Sequence, residues 1–259
     1  MQIRDKIVLV TGASQGIGAS TALAFARRGA KLAVTARSDE RLQSLADAGA
    51  FVVAGDLLEP ADRRRVIEKT LAHYGRIDIL INNAGVGLYA PAYDAPMEQV
   101  RSMFELNVFA GLEMAQLASV GMRERRSGTI VNVSSIVGKV TAPWSTLYSA
   151  SKYAVCSLTD GLRMELRPFG VHAMAVCPGY VRTDFSNHVL AGTAPGSLAG
   201  ARARFAITPE QCADAIVRGV ERNSRTVLSP RFGWLMVAAA RLLPRLVDAQ
   251  MERISQRNR

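Results

Sequence analysis

Short runs of β-branched and aliphatic residues alternate with helical patterns along most of this chain. Parallel strands need a long crossover between them, usually a helix, so the rhythm predicts a parallel sheet covered by helices on both faces. The apolar runs fall at 7–10, 32–35, 51–54, 77–81, 130–133, 172–176 and 226–228. The helical patterns fall at 17–28, 39–48, 61–74, 97–126, 148–166 and 209–223. Strands buried on both faces read as continuous Val/Ile/Leu runs, as these do. Neither an internal repeat nor a linker interrupts the series, and 259 residues suffice for one full hydrophobic core. The expectation is a single α/β domain over 1–259, a doubly wound parallel sheet in three α/β/α layers.

Two stretches break the rhythm. Residues 191–201 are nearly all small or turn-forming, and 185–207 reads as a loop on the substrate side of a site or as a plain surface excursion. Residues 231–259 form a basic amphipathic extension, with Arg231, Arg241 and Arg245 around a Phe232/Trp234/Leu235/Met236 cluster. Such a cluster is costly in water. It suits a peripheral membrane contact, packing over the site, or packing against a second subunit.

The net charge of +10 gathers in the same region, because residues 199–259 hold eleven arginines against five acids. A nucleic-acid face would interleave such charge with stacking aromatics. Only Phe205, Phe232 and Trp234 are on offer, so no nucleic-acid partner is expected. The cysteines, Cys156, Cys177 and Cys212, show neither disulfide-framework nor zinc-ligand spacing. No metal is implied, and the reducing cytoplasm is the expected location. The longest apolar stretch, 232–240, is far below the roughly 20 residues of a spanning helix. No targeting segment is expected either.

Directly after the first apolar run comes Thr11-Gly12-Ala13-Ser14-Gln15-Gly16-Ile17-Gly18, leading into the first helix. Glycines there allow a tight turn and close backbone approach to phosphate, and the helix N-terminus offers free N–H groups to a pyrophosphate. In this strand–turn–helix setting the cluster predicts a dinucleotide cradle built from Gly12, Ser14, Gln15, Gly16, Ile17 and Gly18. A carboxylate after the second strand would hold the ribose hydroxyls of NAD. This chain has Ala36 there and Arg37 next, and a guanidinium accepts a 2′-phosphate bidentately. NADP is therefore favoured over NAD, the alternative being that Asp39 or Glu40 holds the ribose.

Further motifs follow in order: Asp56-Leu57, Asn82-Asn83-Ala84-Gly85, Asn107, Ser135, Tyr148-x-x-x-Lys152, and Pro178-Gly179 with Thr183. With the glycine turn, they make residues 5–185 resemble the short-chain dehydrogenase/reductase family, in its single-domain branch of about 250 residues. The resemblance implies a Rossmann-type fold. It implies that Asp56, beside Leu57, accepts from the adenine amino group, and that Asn83, Ala84 and Gly85 line the cofactor cleft. Pro178, Gly179 and Thr183 would shape the nicotinamide pocket, Thr183 bonding the carboxamide. Asn107 would hold a water that relays protons to Lys152, and Lys152 would also reach the nicotinamide ribose. The 35–38 segment also resembles NADP-using hydroxysteroid and related lipid-alcohol members. The chain lacks the Val-Asp-Gly-Gly-like ending of tetrameric members, so a homodimer through helices 97–126 and 148–166 is expected and a tetramer is in doubt.

The residue types themselves suit the chemistry. Tyr148 and Lys152 stand four apart on one helix face. A phenol titrates near 10, and an adjacent ammonium is expected to pull that value down toward the working range. Tyr148 is then the general acid/base. Ser135, just past the fifth strand, can donate to the substrate oxygen, with Ser134 its competitor. Asn107 interrupts a helical pattern that disfavours it and marks a candidate kink. His73, His172 and His188 match no motif, and Cys156 reads as packing.

The expectation is an NADP(H)-dependent oxidoreductase moving hydride between the nicotinamide and a secondary alcohol/ketone. The substrate is read as a small lipophilic molecule, because the substrate-side segments carry few carboxylates or amides. An acyl-thioester reductase stays open. The rival classes are a non-catalytic NADP-binding sensor and a membrane-associated interaction module.

Overall fold

A computed structural model describes residues 1–38, 40–187, 189–192 and 205–256. Its centre is a sheet of seven parallel strands: β1 (Ile7–Thr11), β2 (Lys31–Thr35), β3 (Phe51–Val52), β4 (Ile79–Asn82), β5 (Gly128–Val133), β6 (Val171–Pro178) and β7 (Thr226–Ser229). Their spatial order is β3-β2-β1-β4-β5-β6-β7. The chain leaves β1 toward one edge and restarts at β4 toward the other. The crevice at the carboxyl ends of β1 and β4 is the switch point where sheets of this kind bind ligands.

The period-2 geometry of a strand splits each apolar run between two cores. Val8, Val10, Ile79, Ile81, Val131 and Val176 join Phe25 and Ile216 on one face. That face is closed by α1 (Gly16–Ala26) and α7 (Pro209–Glu221). Leu9, Leu80, Ile130 and Ala173 join Met114, Val66 and Leu166 on the other. This second face is covered by α3 (Pro60–Tyr74), α5 (Gly111–Glu124) and α6 (Thr146–Leu166). Each large aliphatic side chain buried this way contributes roughly 1.5–3 kcal/mol. The three-layer, single-domain expectation therefore holds.

Three elements differ from expectation. The helix expected at 97–126 is two helices, α4 (Met97–Phe104) and α5, separated by a π-helical turn at Glu105–Ala110 that carries Asn107. The 39–48 pattern yields only a 3₁₀ turn at Glu40–Leu42 and a five-residue α2 (Gln43–Asp47), with Asp39 outside the described residues. Strand 51–54 shrinks to two residues because β3 is an edge strand, paired only with β2.

The stretch expected as a substrate loop, 185–207, lies partly outside the described residues, as does His188. Its start is stitched to 87–89: Leu190 N–H donates to the Gly87 carbonyl at 3.0 Å, and Tyr89 N–H to that of Ala191 at 3.0 Å. Beyond β7 the chain forms α8 (Gly233–Leu242) and α9 (Pro244–Gln256). Among the described residues no helix is long and apolar enough to cross a membrane.

Candidate active site

The turn from β1 to α1 is held from behind. Thr11 Oγ1 accepts from the backbone N–H groups of Asn83 at 3.0 Å and Ala84 at 3.1 Å. Asn83 Nδ2 donates to the Thr11 and Gly12 carbonyls, each at 3.0 Å. The Asn83 amide thus braces the turn, and Thr11, whose hydroxyl gave no signal in the sequence, is its anchor. Gly12 has φ +62°, and a Cβ on Gly18 would stand 2.2 Å from the Gly12 carbonyl oxygen. Only glycine permits that approach of helix to strand.

Helix α1 begins at Gly16 with no side-chain cap from Gln15 and no acid in its first turn. Uncapped N–H donors, a positive dipole end and a glycine-walled turn together fit a pyrophosphate. The donors open onto a cleft of about 460 Å³ lined by Gln15, Gly16, Tyr180, Arg182, Thr183 and Asp184. Gly179, just past Pro178 at the end of β6, is pinned by its N–H to the Ser229 carbonyl at 2.7 Å.

At the adenosine end, Ala36 and an exposed Arg37 follow β2. The Asp56 carboxylate accepts from Leu58 N–H at 3.0 Å, and Asp56 N–H donates to Asp62 at 2.8 Å. The Leu57 carbonyl accepts from Arg63 Nε at 2.6 Å. Arg63, the first of three consecutive arginines, is only 3% exposed. It also pairs with Glu113 on α5 at 2.7 Å and with Glu105 of the π turn.

The chemistry-bearing groups meet at the carboxyl ends of β4 and β5. Lys152 on α6 is 4% exposed, and its Nζ donates to the Val133 carbonyl at 3.0 Å. The ammonium stands 5.7 Å from the centre of the Tyr148 ring. Burial pushes the Lys152 pKa down to about 8, partly opposed by Cys156 and Cys177. The phenol of Tyr148 is pushed up, first by burial and then by Tyr89, with a hydrogen bond to Ser135 pulling the other way. This corrects the expectation that the lysine draws the phenol down. The ammonium is turned to a carbonyl, and desolvation of the phenolate is the larger effect.

Ser134, the competitor of Ser135, is spent elsewhere: its hydroxyl donates to the Lys152 carbonyl at 2.8 Å. Asn107 makes three contacts. Its Oδ1 accepts from Val86 N–H at 2.8 Å, and its Nδ2 donates to the Val86 carbonyl at 2.9 Å and Ser151 Oγ at 3.1 Å. Gly85 lies between Asn107 and Lys152, since a Cβ there would come 2.8 Å from Asn107 Oδ1 and 3.4 Å from Lys152 Nζ. The structure thus brings Asn107, Ser135, Tyr148, Lys152 and Gly85 to one place. Phe185, at 5.8 Å between ring centres, flanks Tyr148.

Two of the histidines are occupied elsewhere. His73 stacks on Phe51 at 4.0 Å, and His172 Nε2 bonds the Ser224 carbonyl at 2.9 Å. Cys156 packs as expected, yet its sulfur also lies 3.7 Å from that of Cys177, an approach that sequence spacing does not reveal. Hydrogen bonding to Cys156, together with burial, keeps the Cys177 thiol protonated.

Comparison with known proteins places these motifs in context. Residues 6–193 match the family model described as short chain dehydrogenase. The chain is 31% identical over 258 residues to the ketoacyl reductase HetN of a Nostoc species, covering 95% of this chain and 88% of that one. Among solved structures, a short-chain dehydrogenase from Streptomyces avermitilis matches with TM-score 0.83 and 28% identity over 99% of both chains. One from Sphingobium yanoikuyae, in complex with NADPH, matches with TM-score 0.76 and 32% identity over 91% of this chain and 93% of that chain.

Proposed function

The chain belongs to the short-chain dehydrogenase/reductase family of oxidoreductases, and from that premise we propose that it is an NADP(H)-dependent reductase of lipophilic ketones, acting through Tyr148. The observation that carries the reading is the convergence of Tyr148, Ser135, Lys152 and Asn107 beside the glycine-walled cradle. A dinucleotide held there would supply the hydride. Its pyrophosphate would rest on Gly12, Ser14, Gln15, Gly16, Ile17 and Gly18, its adenine near Asp56 and Leu57, and its nicotinamide near Ala84, Pro178, Gly179 and Thr183.

The chain's own residues manage the proton. Burial keeps the Tyr148 phenol protonated at neutral pH, the state that a donor to a nascent alkoxide needs. Ser135 hydrogen-bonds that phenol and is placed to donate to the same substrate oxygen. Lys152, near its titration range, can return a proton toward Tyr148. Asn107 positions the Val86 segment and α6 relative to each other through Ser151.

NADP over NAD is supported by Arg37 after β2 and by the NADPH in the Sphingobium yanoikuyae relative. A lipophilic carbonyl substrate is supported by the apolar surroundings of Tyr148, which packs against a cluster that includes Leu88, Ala90 and Leu190 and has the half-buried Phe185 beside its ring. The Nostoc relative's naming as a ketoacyl reductase agrees with that class. A homodimer through α5 and α6 belongs to the same reading, because Val120, Tyr153 and Met164 lie exposed on those helices.

The test combines NADPH and NADH titrations with a screen of aliphatic and ring ketones, on the parent, Tyr148→Phe and Arg37→Asp. Tyr148→Phe is expected to lose about a hundred- to ten-thousandfold in turnover while still binding NADPH. Arg37→Asp should bring NADPH affinity down to that of NADH. Full turnover by the Phe variant would remove the proposed acid.

A further inference from the structure

Helix α8 touches the body through a narrow seam. Gly233 and Val237 are buried, Val237 against Cys177 and Leu228, and the rest of the helix faces out or sits half-buried. Helix α9 rests on α8, and none of its described side chains is buried. Their outer surface is apolar: Leu235 is 73% exposed, Leu242 78% and Leu246 68%, with Trp234 and Phe232 also exposed beside them. Soluble monomers rarely leave so contiguous an apolar face in water.

The charges around the face narrow what covers it. Residues 226–247 contain Arg231, Arg241 and Arg245 and no acid, and the remainder of α9 adds Asp248 and Glu252 against Arg253, so the face as a whole stays basic. A symmetric contact between two copies would set this arginine ring against itself, because an isologous interface pairs a patch with its own image. Like charges so placed oppose association. An anionic bilayer surface has the complementary composition. Its headgroups take arginines, and its interfacial layer takes leucine, phenylalanine and tryptophan side chains to a shallow depth.

The patch also borders the Ser135 side of the candidate active site, where a substrate mouth would open. Gly233 packs so near Ile136, which follows Ser135, that a Cβ would come 3.0 Å from its Cδ1. The Phe232 ring lies 5.3 Å from that of Phe205, the first described residue after 193–204.

We propose that α8 and α9 form a docking face for an anionic lipid surface, holding the protein peripherally with the substrate mouth turned toward the bilayer. The proposal goes beyond the redox reading, and its test involves no turnover. Full-length protein is floated on sucrose gradients with phosphatidylcholine vesicles, with or without phosphatidylglycerol. The parent should float with the anionic vesicles and lose binding as salt is raised.

The triple variant Leu235→Glu/Leu242→Glu/Leu246→Glu changes only exposed side chains, so its NADPH binding should match the parent while flotation is lost. Arg231→Gln/Arg241→Gln/Arg245→Gln should weaken binding to anionic vesicles by about fivefold per arginine and leave binding to neutral vesicles unchanged. A parent that stays at the bottom with anionic vesicles overturns the proposal, as does a leucine variant that floats like the parent. Sedimentation showing a dimer that the leucine substitutions dissolve, without vesicle binding by the parent, assigns the face to a second copy instead.

Discussion

At Lys152 the cost of the site falls on folding. An ammonium 4% exposed, with one carbonyl partner, is pushed from the ordinary lysine value of 10.5 down to about 8. The unfolded chain therefore binds more protons than the native one between pH 8 and 10.5, and stability rises with pH through that window. Below pH 8 both states are protonated and the penalty is constant. The shift is worth about 3 kcal/mol. Against Lys152→Met, which does not titrate, the parent should gain about that much in unfolding free energy between pH 8 and 10.5. Chemical denaturation at matched pH values measures it, and parallel pH profiles would show that the ammonium is better solvated than its burial implies. The residue roles were legible only in part. Spacing put Tyr148 and Lys152 on one face, but burial, which spacing does not report, set the direction of the phenol's shift.

Among the elements, the π turn at Glu105–Ala110 has the least local support in the sequence. Its supports are distant. Asn107 is fastened to Val86 and Ser151, while Glu105 is fastened to Arg63 on α3, which also holds the Leu57 and Leu58 carbonyls. One buried guanidinium thus ties the expected adenine side to the turn carrying Asn107. Arg63→Ala strands carbonyls more than charges, because Glu105 and Glu113 keep access to water. The expected cost is about 2–3 kcal/mol in denaturant unfolding, below that of a fully buried stranded charge. Weaker NADPH binding should accompany it, and an unchanged parent-like stability would refute the tie. The strands were readable because runs such as 7–10 and 130–133 need no partner information beyond burial on both faces. The π turn and the Cys156–Cys177 approach were not, because each depends on contacts between positions far apart in the chain. The break at Asn107 is the intermediate case: residue type marked the place, and tertiary bonds decided the geometry.

Taken together, the layers form a buried body from which the segment after β7 stands out exposed. The sheet, α1 and α7 form a closed body to which even the N-terminus is tied, Met1 donating to the Glu221 carbonyl at 2.6 Å. Helix α9 lies outside that body. If burial governs stability here as it does in the strands, removing residues 244–259 should cost little folding free energy, within about 0.5 kcal/mol. The body's response to ligand should also survive: NADPH at a hundredfold over its dissociation constant should stabilise parent and truncation alike by about 2.7 kcal/mol. Calorimetry with and without NADPH distinguishes the cases. A truncation that unfolds far below the parent would mean that α9 completes the core, and its exposed Leu246 would then need another explanation. Equal stability with equal ligand response would leave the extension free of any folding role. Its apolar face would then have to be accounted for by what the protein binds.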